Sequence, residues 1–512
     1  MRRSGVWIAG MLIGCAAAAA ARSEELDAAQ VQILSAAEAD RVTYRGDSAR
    51  FGRLVELSPE AAAALAKRPF PIELTVLENP RPAVIAALAG HTAGLSLPKL
   101  TTLSLDQAQA LAGYTGERLA LNGLTALSPE VARALAAFAG QRIIKDKIQP
   151  GTLELNGVKE PSPEAAAVIA ECKGVISLTG LASLTSIPLA HKLGSQPILT
   201  LAVPTLSDDV ARALFLGPQA ARNTMMSLGL KELSVEAAKA LGERGRTLGG
   251  HWQFNELEAI SDEVAEALSA PAAIRCKKVT ALSDRAATAL NRYVHAHMYA
   301  LADVSNESLE MFSRRQGFMI HGLRKLDCVP FAATLMSNNS DFLDLPQLET
   351  ISEEAADALA ADVRRSKRCI VPLPALTALS SVALAEVLAE GPLPDTRAPR
   401  GANQEARRKT VALNLARLET APDAVVRALA KRTGPLSLGL TTLSVEAATA
   451  IAVREQATTL GTARLSDEAA TALAKAKAKV TLPNLADVSA AGSAALRENP
   501  MIELPKAIGQ AR

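Results

Sequence analysis

The sequence predicts an α/β solenoid, in which a ladder of parallel strands is covered on one side by a row of short helices. Three observations predict this fold class. A helical motif recurs along most of the 512 residues, alternating leucines precede many copies, and the apolar residues (49%) include few aromatic ones (3%). One strand and one short helix cannot bury a core alone, so such units must stack in thin, repeated layers.

The helical motif returns at a nearly constant interval. The last leucines of four successive copies, Leu65, Leu88, Leu111 and Leu135, are 23, 23 and 24 residues apart. This spacing predicts about eighteen repeats between residues 51 and 508. The clearest copies are LSPEAAAAL from Leu57, LSLDQAQAL from Leu103, LSPEVARAL from Leu127, LSDDVARAL from Leu206, LSVEAAKAL from Leu233, ISDEVAEAL from Ile260, LSDRAATAL from Leu282, ISEEAADAL from Ile351, LSVEAATAI from Leu443 and LSDEAATAL from Leu465.

Each copy carries its own helix start, as LSPEVARAL shows. Ser128 is suited to cap a helix, because its hydroxyl accepts a hydrogen bond from a free backbone N–H. Pro129 fits the first helical position, where no donor is needed. Glu130 favours the positive end of the helix dipole by about 0.3–1 kcal/mol. Ala132 and Leu135 are three residues apart and therefore share one helical face.

The residues before each helix alternate as in a half-buried strand. Leu119 and Leu121 are separated by one residue. The same alternation occurs at Leu95 and Leu97, at Leu153 and Leu155, and at Leu436 and Leu438. Stacked repeats would align these segments as a parallel sheet with the helices on its other side.

The strand-and-turn pattern LxLxGLTxLS followed by a helix resembles the leucine-rich repeats, specifically a bacterial variant with a period of about 23 residues. The resemblance covers roughly residues 50–508. It implies a right-handed solenoid whose sheet is concave, a surface used in that family mainly for binding. Leu100, Leu124 and Leu348 stand where the common repeat has Asn or Cys. The asparagine ladder of the family is therefore not expected.

Residues 1–22 have the features of an export signal, with the basic start MRR, the apolar segment GVWIAGMLI and an alanine run. The segment Leu12–Cys15 resembles a lipobox, which implies acylation of Cys15. The alternative is cleavage after Ala19–Ala21 by an ordinary signal peptidase. The predicted location is the periplasm, the outer envelope or the exterior, with a possible lipid anchor. No stretch reaches the roughly 20 apolar residues of a spanning helix.

Three other segments depart from the repeat. Residues 23–50 are polar and fit an N-terminal cap, and insertions are expected near 141–160 and 391–409. The second insertion is rich in Pro, Gly and Arg, which is typical of a surface loop; alternatively, it contacts an acidic partner or lipid headgroups. The scattered cysteines Cys172, Cys276, Cys328 and Cys369 are expected to be small buried hydrophobic residues rather than disulfides.

A candidate ligand site lies where aromatic residues and histidines are concentrated, between residues 251 and 342. Aligning four repeats places Phe254, Cys276, Met298 and Ile320 at the inward position of Leu121. Their neighbours then point outward: Gln253, Arg275, His297 and Met319 on one side, Asn255, Lys277, Tyr299 and His321 on the other, with His251 and His295 one alternation earlier. Strands about 4.8 Å apart would let these side chains act together. The structural alternative is that larger residues merely fill wider layers here.

The signals for enzymes and nucleic-acid binding are weak. There is no HExxH, paired CxxC, GxSxG or P-loop motif, so no cofactor, metal or catalytic residue is predicted. Lys+Arg (55) nearly balance Asp+Glu (53), which does not favour a nucleic-acid partner. The main hypothesis is an exported, non-enzymatic scaffold that binds a protein or glycan through its concave face. The alternatives are a purely structural envelope component and a metal-dependent hydrolase centred on His297 and His321.

Overall fold

A computed structural model of the protein describes residues 26–44, 46–144, 147–222, 224–269, 273–293, 295–314, 318–337, 345–366, 373–390 and 412–506. The chain divides into two bodies, the N-terminal body Met1–Leu230 and the C-terminal body Lys231–Arg512. The predicted export signal with Cys15, the insertion at 391–409 and Cys369 lie outside the described residues.

The N-terminal body alternates strands and helices. Its helices are α1 Pro59–Ala66, α2 Pro82–Leu88, α3 Leu105–Ala112, α4 Pro129–Ala136, α5 Pro163–Ile169, α6 Ile187–Gly194 and α7 Asp208–Leu216. Its strands are β1 Leu26–Asp27, β2 Val42–Thr43, β3 Ala49–Phe51, β4 Ile72–Leu74, β5 Gly94–Ser96, β6 Arg118–Ala120, β7 Gln141–Ile144, β8 Lys147–Pro150, β9 Thr152–Glu154, β10 Val175–Ser177, β11 Ile198–Leu201 and β12 Thr224–Leu228. A 3-10 helix, Ala39–Arg41, precedes β2.

The strands of the N-terminal body pair mainly in parallel. One sheet has the order β10-β9-β6-β5-β4-β3, β1 pairs with β2 and β11 pairs with β12. The ladder already begins at Ala49, within the segment expected to be a cap. The first predicted insertion contains the antiparallel hairpin β7–β8. Because β6 pairs directly with β9, this hairpin leaves the ladder uninterrupted.

The C-terminal body repeats the same alternation. Its helices are α8 Val235–Leu248, α9 Asp262–Leu268, α10 Asp284–Tyr293, α11 Asn306–Ser313, α12 Val329–Ala332, α13 Glu353–Ser366, α14 Val382–Glu390, α15 Asp423–Ala430, α16 Val445–Ala452, α17 Asp467–Leu473 and α18 Ala490–Glu498. Its strands are β13 Gly250–Phe254, β14 Ala273–Cys276, β15 His295–Met298, β16 Phe318–Ile320, β17 Lys325–Leu326, β18 Thr350–Ile351, β19 Leu413–Leu415, β20 Leu436–Leu438, β21 Thr458–Leu460, β22 Val480–Thr481 and β23 Ile502–Glu503. The strands β13 to β16 pair in parallel and in chain order, as do β17 with β18 and β19 to β23.

The core follows the predicted alternation. Leu119 and Leu121 are fully buried, and Leu119 is aligned with Leu95 and Leu153 in the neighbouring strands. The helix starts also follow the sequence, since the Ser128 hydroxyl accepts a hydrogen bond from the N–H of Val131 at 3.3 Å. Parallel strands in register, most of them followed by a helix, confirm the α/β leucine-rich-repeat-like solenoid fold.

Polar side chains join successive repeats at two recurring positions that the sequence did not reveal. In the C-terminal body, the capping serine of a helix donates its hydroxyl to the first-turn aspartate of the preceding helix, as Ser305 does to Asp284. The second is the post-helix position, the residue three after the last leucine or isoleucine of a helix. There, His91 Nδ1 donates to the carbonyl of Ala66 at 3.0 Å. Each such bond links a repeat to the one before it.

His91 makes the stability of the N-terminal body depend on pH. Burial lowers the pKa of His91 below its ordinary value of 6.5, and the bond to the Ala66 carbonyl only partly opposes this. The unfolded chain therefore binds the proton more tightly than the folded chain, so stability is full above pH 6.5 and declines as the pH falls further. In His91→Tyr, we expect a smaller loss of stability between pH 7.5 and 5.5, measured by urea unfolding of the whole chain.

Tyrosine is a matched replacement for His91, because Tyr114 occupies the post-helix position of the next repeat and also donates to a carbonyl of the preceding repeat, that of Ala93. The other titrating groups are unchanged in this variant, so the difference between the two proteins isolates the imidazole. If wild type and His91→Tyr lost equal stability between pH 7.5 and 5.5, the pH dependence could not be attributed to His91.

The remaining expectations concern cysteines and membrane spans. Cys172, Cys276 and Cys328 are buried and free, so the prediction of small buried hydrophobic residues is confirmed for these three. Burial raises the pKa of Cys276 to about 12, which leaves its thiol protonated at neutral pH. Within the described part of the chain, no helix has the length and apolarity needed to cross a membrane.

Candidate functional site

The candidate site is the face of β13 to β16 that points away from the helices, here called the strand face. Phe254, Cys276, Met298 and Ile320 are all buried, which confirms the predicted inward position in four consecutive repeats. Pairing aligns Gln253 with Arg275, Arg275 with His297, and His297 with Met319. The strand register on which the predicted site depends is therefore confirmed.

Eight side chains on this face form what we call the His–Tyr patch: Gln253, Asn255, Arg275, Lys277, His295, His297, Tyr299 and His321. Their rows follow from the pairing. Asn255, Lys277, Tyr299 and His321 continue the ladder, since the N–H groups of the last three donate to the carbonyls of Phe254, Cys276 and Met298 at 3.0, 3.0 and 2.8 Å. His251 and His295 are exposed and both aligned with Ala273 of β14. The row that begins at Gln253 is thus three strands wide, and the row that begins at Asn255 is four strands wide.

Stacked rings form the centre of the patch. The Tyr299 and His321 rings lie 4.7 Å apart and only 8° from parallel. The His297 and His321 rings are 6.3 Å apart at 21°. Tyr299 remains 42% exposed, so one aromatic face of the stack is accessible from the strand face. Flat aromatic surfaces of this kind bind other rings, apolar side chains and cations.

Two cations lie beside the stack. Arg275 and Lys277 are exposed, and neither forms an ion pair with a carboxylate of the described residues. The nearby Lys278, in contrast, pairs with Glu256, and this contact lowers the pKa of the Glu256 carboxyl. Arg275 and Lys277 are therefore available to an anionic group of a partner.

Amide groups border the cationic side of the patch. Gln253 Nε2 donates to Asn255 Oδ1 at 2.7 Å, which orients both amides at the end of β13. Each amide retains further donor or acceptor capacity. Behind them, Trp252 is buried and packs within the core rather than on the patch, as strand alternation requires.

The patch ends at β16. Met319 was expected to point outward beside His297, and the pairing does align the two residues. Met319 is nevertheless buried, as are Phe318 and Ile320, so both faces of β16 are covered. The expectation that Met319 belongs to the open surface was wrong, because alternation along a strand does not report what covers its outer face.

The metal alternative lacks a ligand set in the part of the chain that the structure describes. His297 and His321 are stacked neighbours, but no three or more His, Cys, Asp or Glu side chains are grouped so that they could hold a metal ion. Zinc sites need three or four such ligands.

A charged cluster on the N-terminal body was missed by sequence reasoning. Arg118 binds Glu154 through two hydrogen bonds of 2.6 and 3.0 Å, and Asn122 donates to the same carboxylate at 2.9 Å. Burial alone would raise the pKa of Glu154, but the bonds from Arg118 and Asn122 bring it below the ordinary value. The hairpin β7–β8 separates these residues in sequence, so the spacing of the repeats did not bring them together.

Comparison with known proteins finds distantly similar solved structures and no related family. No protein-family model matches the chain, and no curated protein matches it. Similar solved structures include TLR13 bound to ssRNA13, with 13% identity over 91% of this chain and 55% of that chain and a TM-score of 0.28. An internalin from Listeria monocytogenes has 11% identity over 88% and 94%, with a TM-score of 0.29. Toll in the Toll–Spatzle complex of Drosophila has 11% identity over 83% and 56%, with a TM-score of 0.40.

The matched region spans about half the length of the TLR13 and Toll chains. The assignment of the fold therefore rests on the strand pairing and helix order described above.

Proposed function

We propose that the protein is an exported, non-enzymatic repeat scaffold that binds a protein or glycan partner through its strand face, at the His–Tyr patch. The observation that carries the proposal is the stack of Tyr299 on His321 beside the two cations Arg275 and Lys277. Export is supported by the basic, apolar and alanine-rich order of residues 1–22, and a lipid anchor by the lipobox-like residues before Cys15.

The residue types of the patch favour binding over a purely structural role. Tyrosine and arginine are the usual anchors of binding surfaces. The stacking of Tyr299 on His321 restricts side-chain freedom whose loss would otherwise weaken binding. A partner that fits would place a ring or an apolar group on the Tyr299 face and a carboxylate or sulfate near Arg275. Both a glycan with acidic sugars and an acidic protein segment have this chemistry.

The direct test is cross-linking of the native protein in its own envelope, followed by identification of the captured molecule. The test variant is Tyr299→Ala with Arg275→Ala. Truncation of such an anchor weakens the binding free energy by about 2 kcal/mol or more, so capture should fall at least tenfold. Because both side chains are exposed, the melting curve of the variant should match that of wild type.

The matched control is Ser437→Ala with Thr459→Ala, which removes two aligned polar side chains of β20 and β21 that are not part of the His–Tyr patch. Capture by this control at the wild-type level, together with loss in the test variant, supports the proposal. Equal capture by all three proteins would mean that the partner binds another surface, and Gly391–Lys409 would be the next candidate. An absence of any captured partner would favour the structural envelope role.

A further inference from the structure

The parallel ladder of the N-terminal body is open at one place. β10 ends one sheet and β11 begins another pairing, although α6 connects them with the usual length of chain. A cavity of about 210 Å³ lies between the two strands, lined by Ile176, Ser177, Gln196, Ile198 and Thr200 among others. Two strand edges that would pair in a continuous ladder therefore face a cavity instead.

Strand edges of this kind bind other strands. Each carries a row of backbone N–H and C=O groups that lack a neighbour, and an extended peptide satisfies them by adding as a strand. Here both edges present the same sequence pattern. Each edge consists of two apolar residues, a hydroxyl residue and a leucine, in the segments Val175-Ile176-Ser177-Leu178 and Ile198-Leu199-Thr200-Leu201. A strand bound between them is expected to have the same pattern.

Gln196 provides an independent sign of a binding site. It occupies the post-helix position of α6, is only 4% exposed, lines the cavity and has a buried Nε2 with no hydrogen-bond partner in the structure. The polar post-helix residues His91, Tyr114 and Cys172 of earlier repeats do bond to a carbonyl of the preceding repeat, as Cys172 does to that of Phe138 at 3.7 Å. Buried amides without a partner are rare in native proteins, so this donor is available to a carbonyl of a bound chain.

The outward side of the opening is apolar. Ile198 is 64% exposed and Met225, its aligned partner on β12, is 58% exposed. Val175 occupies the equivalent position on β10 and lines the same cavity. An apolar side chain at the corresponding position of a bound strand would contact Val175 and Ile198 and cover both.

We propose that an extended peptide segment of a partner protein binds in the opening between β10 and β11, pairing its backbone with the two strand edges. The segment has an apolar side chain next to Val175 and Ile198, a small hydroxyl residue next to Ser177 and Thr200, and a carbonyl that accepts from Gln196. This site is independent of the His–Tyr patch, and a glycan does not provide the alternating donors and acceptors that it requires.

The probe is the acetylated and amidated heptapeptide GVISLTG, which copies residues 174–180, carrying a fluorescent label and titrated with the full-length protein. We expect saturable binding by fluorescence anisotropy. The same peptide with its central amide nitrogens methylated should not bind, because it cannot pair with the edges. Absence of binding by the unmethylated peptide, or equal binding by the methylated one, would overturn the proposal.

Two variants locate the site. Ile198→Lys should weaken binding roughly tenfold through loss of the apolar contact, and Gln196→Leu should weaken it by removing the donor. Both are expected to fold, since Ile198 is exposed and leucine removes a buried amide without a partner. Ile148→Lys, at an equally exposed isoleucine of β8, is the matched control and should bind as wild type. Unchanged binding by both test variants would place the peptide elsewhere and reject the site.

Hydrogen exchange tests directly whether the two strand edges are open, before any peptide is added. In the free protein, the amides that face the opening, those of Ile176, Leu178, Ile198 and Thr200, should exchange faster than those of β5 and β6, whose edges are both paired. The bound peptide should slow them. Exchange as slow as in β5 and β6 before any peptide is added would show a closed ladder and contradict the proposal.

Discussion

Replacing Arg454 with methionine should lower the stability of the repeats around α16 by at least about 3 kcal/mol, because hydrogen bonds from a charged group contribute about 1.5–3 kcal/mol each. Arg454 is only 5% exposed at the post-helix position. Its guanidinium donates to the carbonyls of Ala430, Arg432 and Gly434 at 2.8, 3.0 and 2.8 Å and to the Thr458 hydroxyl at 2.9 Å. Methionine retains the apolar stem and leaves these acceptors buried without a donor.

Burial, and to a smaller extent the charge of Arg432, lowers the pKa of Arg454 to about 10, so the guanidinium still carries its charge at neutral pH. Arg454→Lys should be intermediate, because one ammonium cannot span three carbonyls as the planar fork does. Since repeat proteins unfold by neighbouring units, the measurement is hydrogen exchange of peptides covering residues 425–460. Arg427→Ala, at an exposed arginine of α15, is the control and should change stability by no more than about 0.5 kcal/mol.

The next repeat explains why the post-helix position does not always need arginine. Ala476 occupies it there, and the carbonyl of Ala452, which corresponds to that of Ala430, accepts from the N–H of Lys477 at 3.0 Å. In the following repeat, Asn499 donates to the carbonyls of Ala474 and Ala476 at 2.7 and 2.8 Å. The same backbone requirement is thus met by different residue types. Preserved exchange protection in Arg454→Met would show that the carbonyls of Ala430 and Gly434 find other donors.

The sequence predicts the features that every repeat shares. Leu119 and Leu121 and the capping Ser128 each express a local preference, strand alternation or helix start, that recurs at a fixed spacing, so alignment of copies is enough to find them. The post-helix residues His91, Tyr114 and Arg454 have no common residue type. Their bonds run to the preceding repeat, and this contact is visible only once the repeats are stacked.

The candidate site shows the same division. Phe254, Cys276, Met298 and Ile320 are each 22 residues apart, so the register of the His–Tyr patch followed from uninterrupted spacing. The burial of Met319 depends on what covers β16 and has no local signal. The opening beside β10 also has no local signal in the sequence, because Ile198 follows Val175 by the ordinary 23 residues. Pairing is lost there without any change in the length of the repeat.

The second large effect is expected for Leu121→Ala, which should destabilise its repeats by about 2–5 kcal/mol. Leu121 is fully buried, its N–H donates to the Glu154 carbonyl at 2.8 Å and its own carbonyl accepts from Leu124. The substitution preserves these backbone bonds and removes only the side chain. The cost therefore combines the lost burial of the side chain with the cavity left between the sheet and the helices.

The control is Leu105→Ala, because Leu105 is the first residue of α3 and is 42% exposed. The same atoms are removed there with little loss of buried contact, so the free energy of unfolding should fall by less than about 1 kcal/mol. Both variants are measured by hydrogen exchange of peptides covering residues 95–155. Equal protection in Leu121→Ala and Leu105→Ala would mean that Leu121 is not packed between sheet and helices. The inward position assigned to Phe254, Cys276, Met298 and Ile320, and with it the outward position of the His–Tyr patch, would then lose the alignment on which it was predicted.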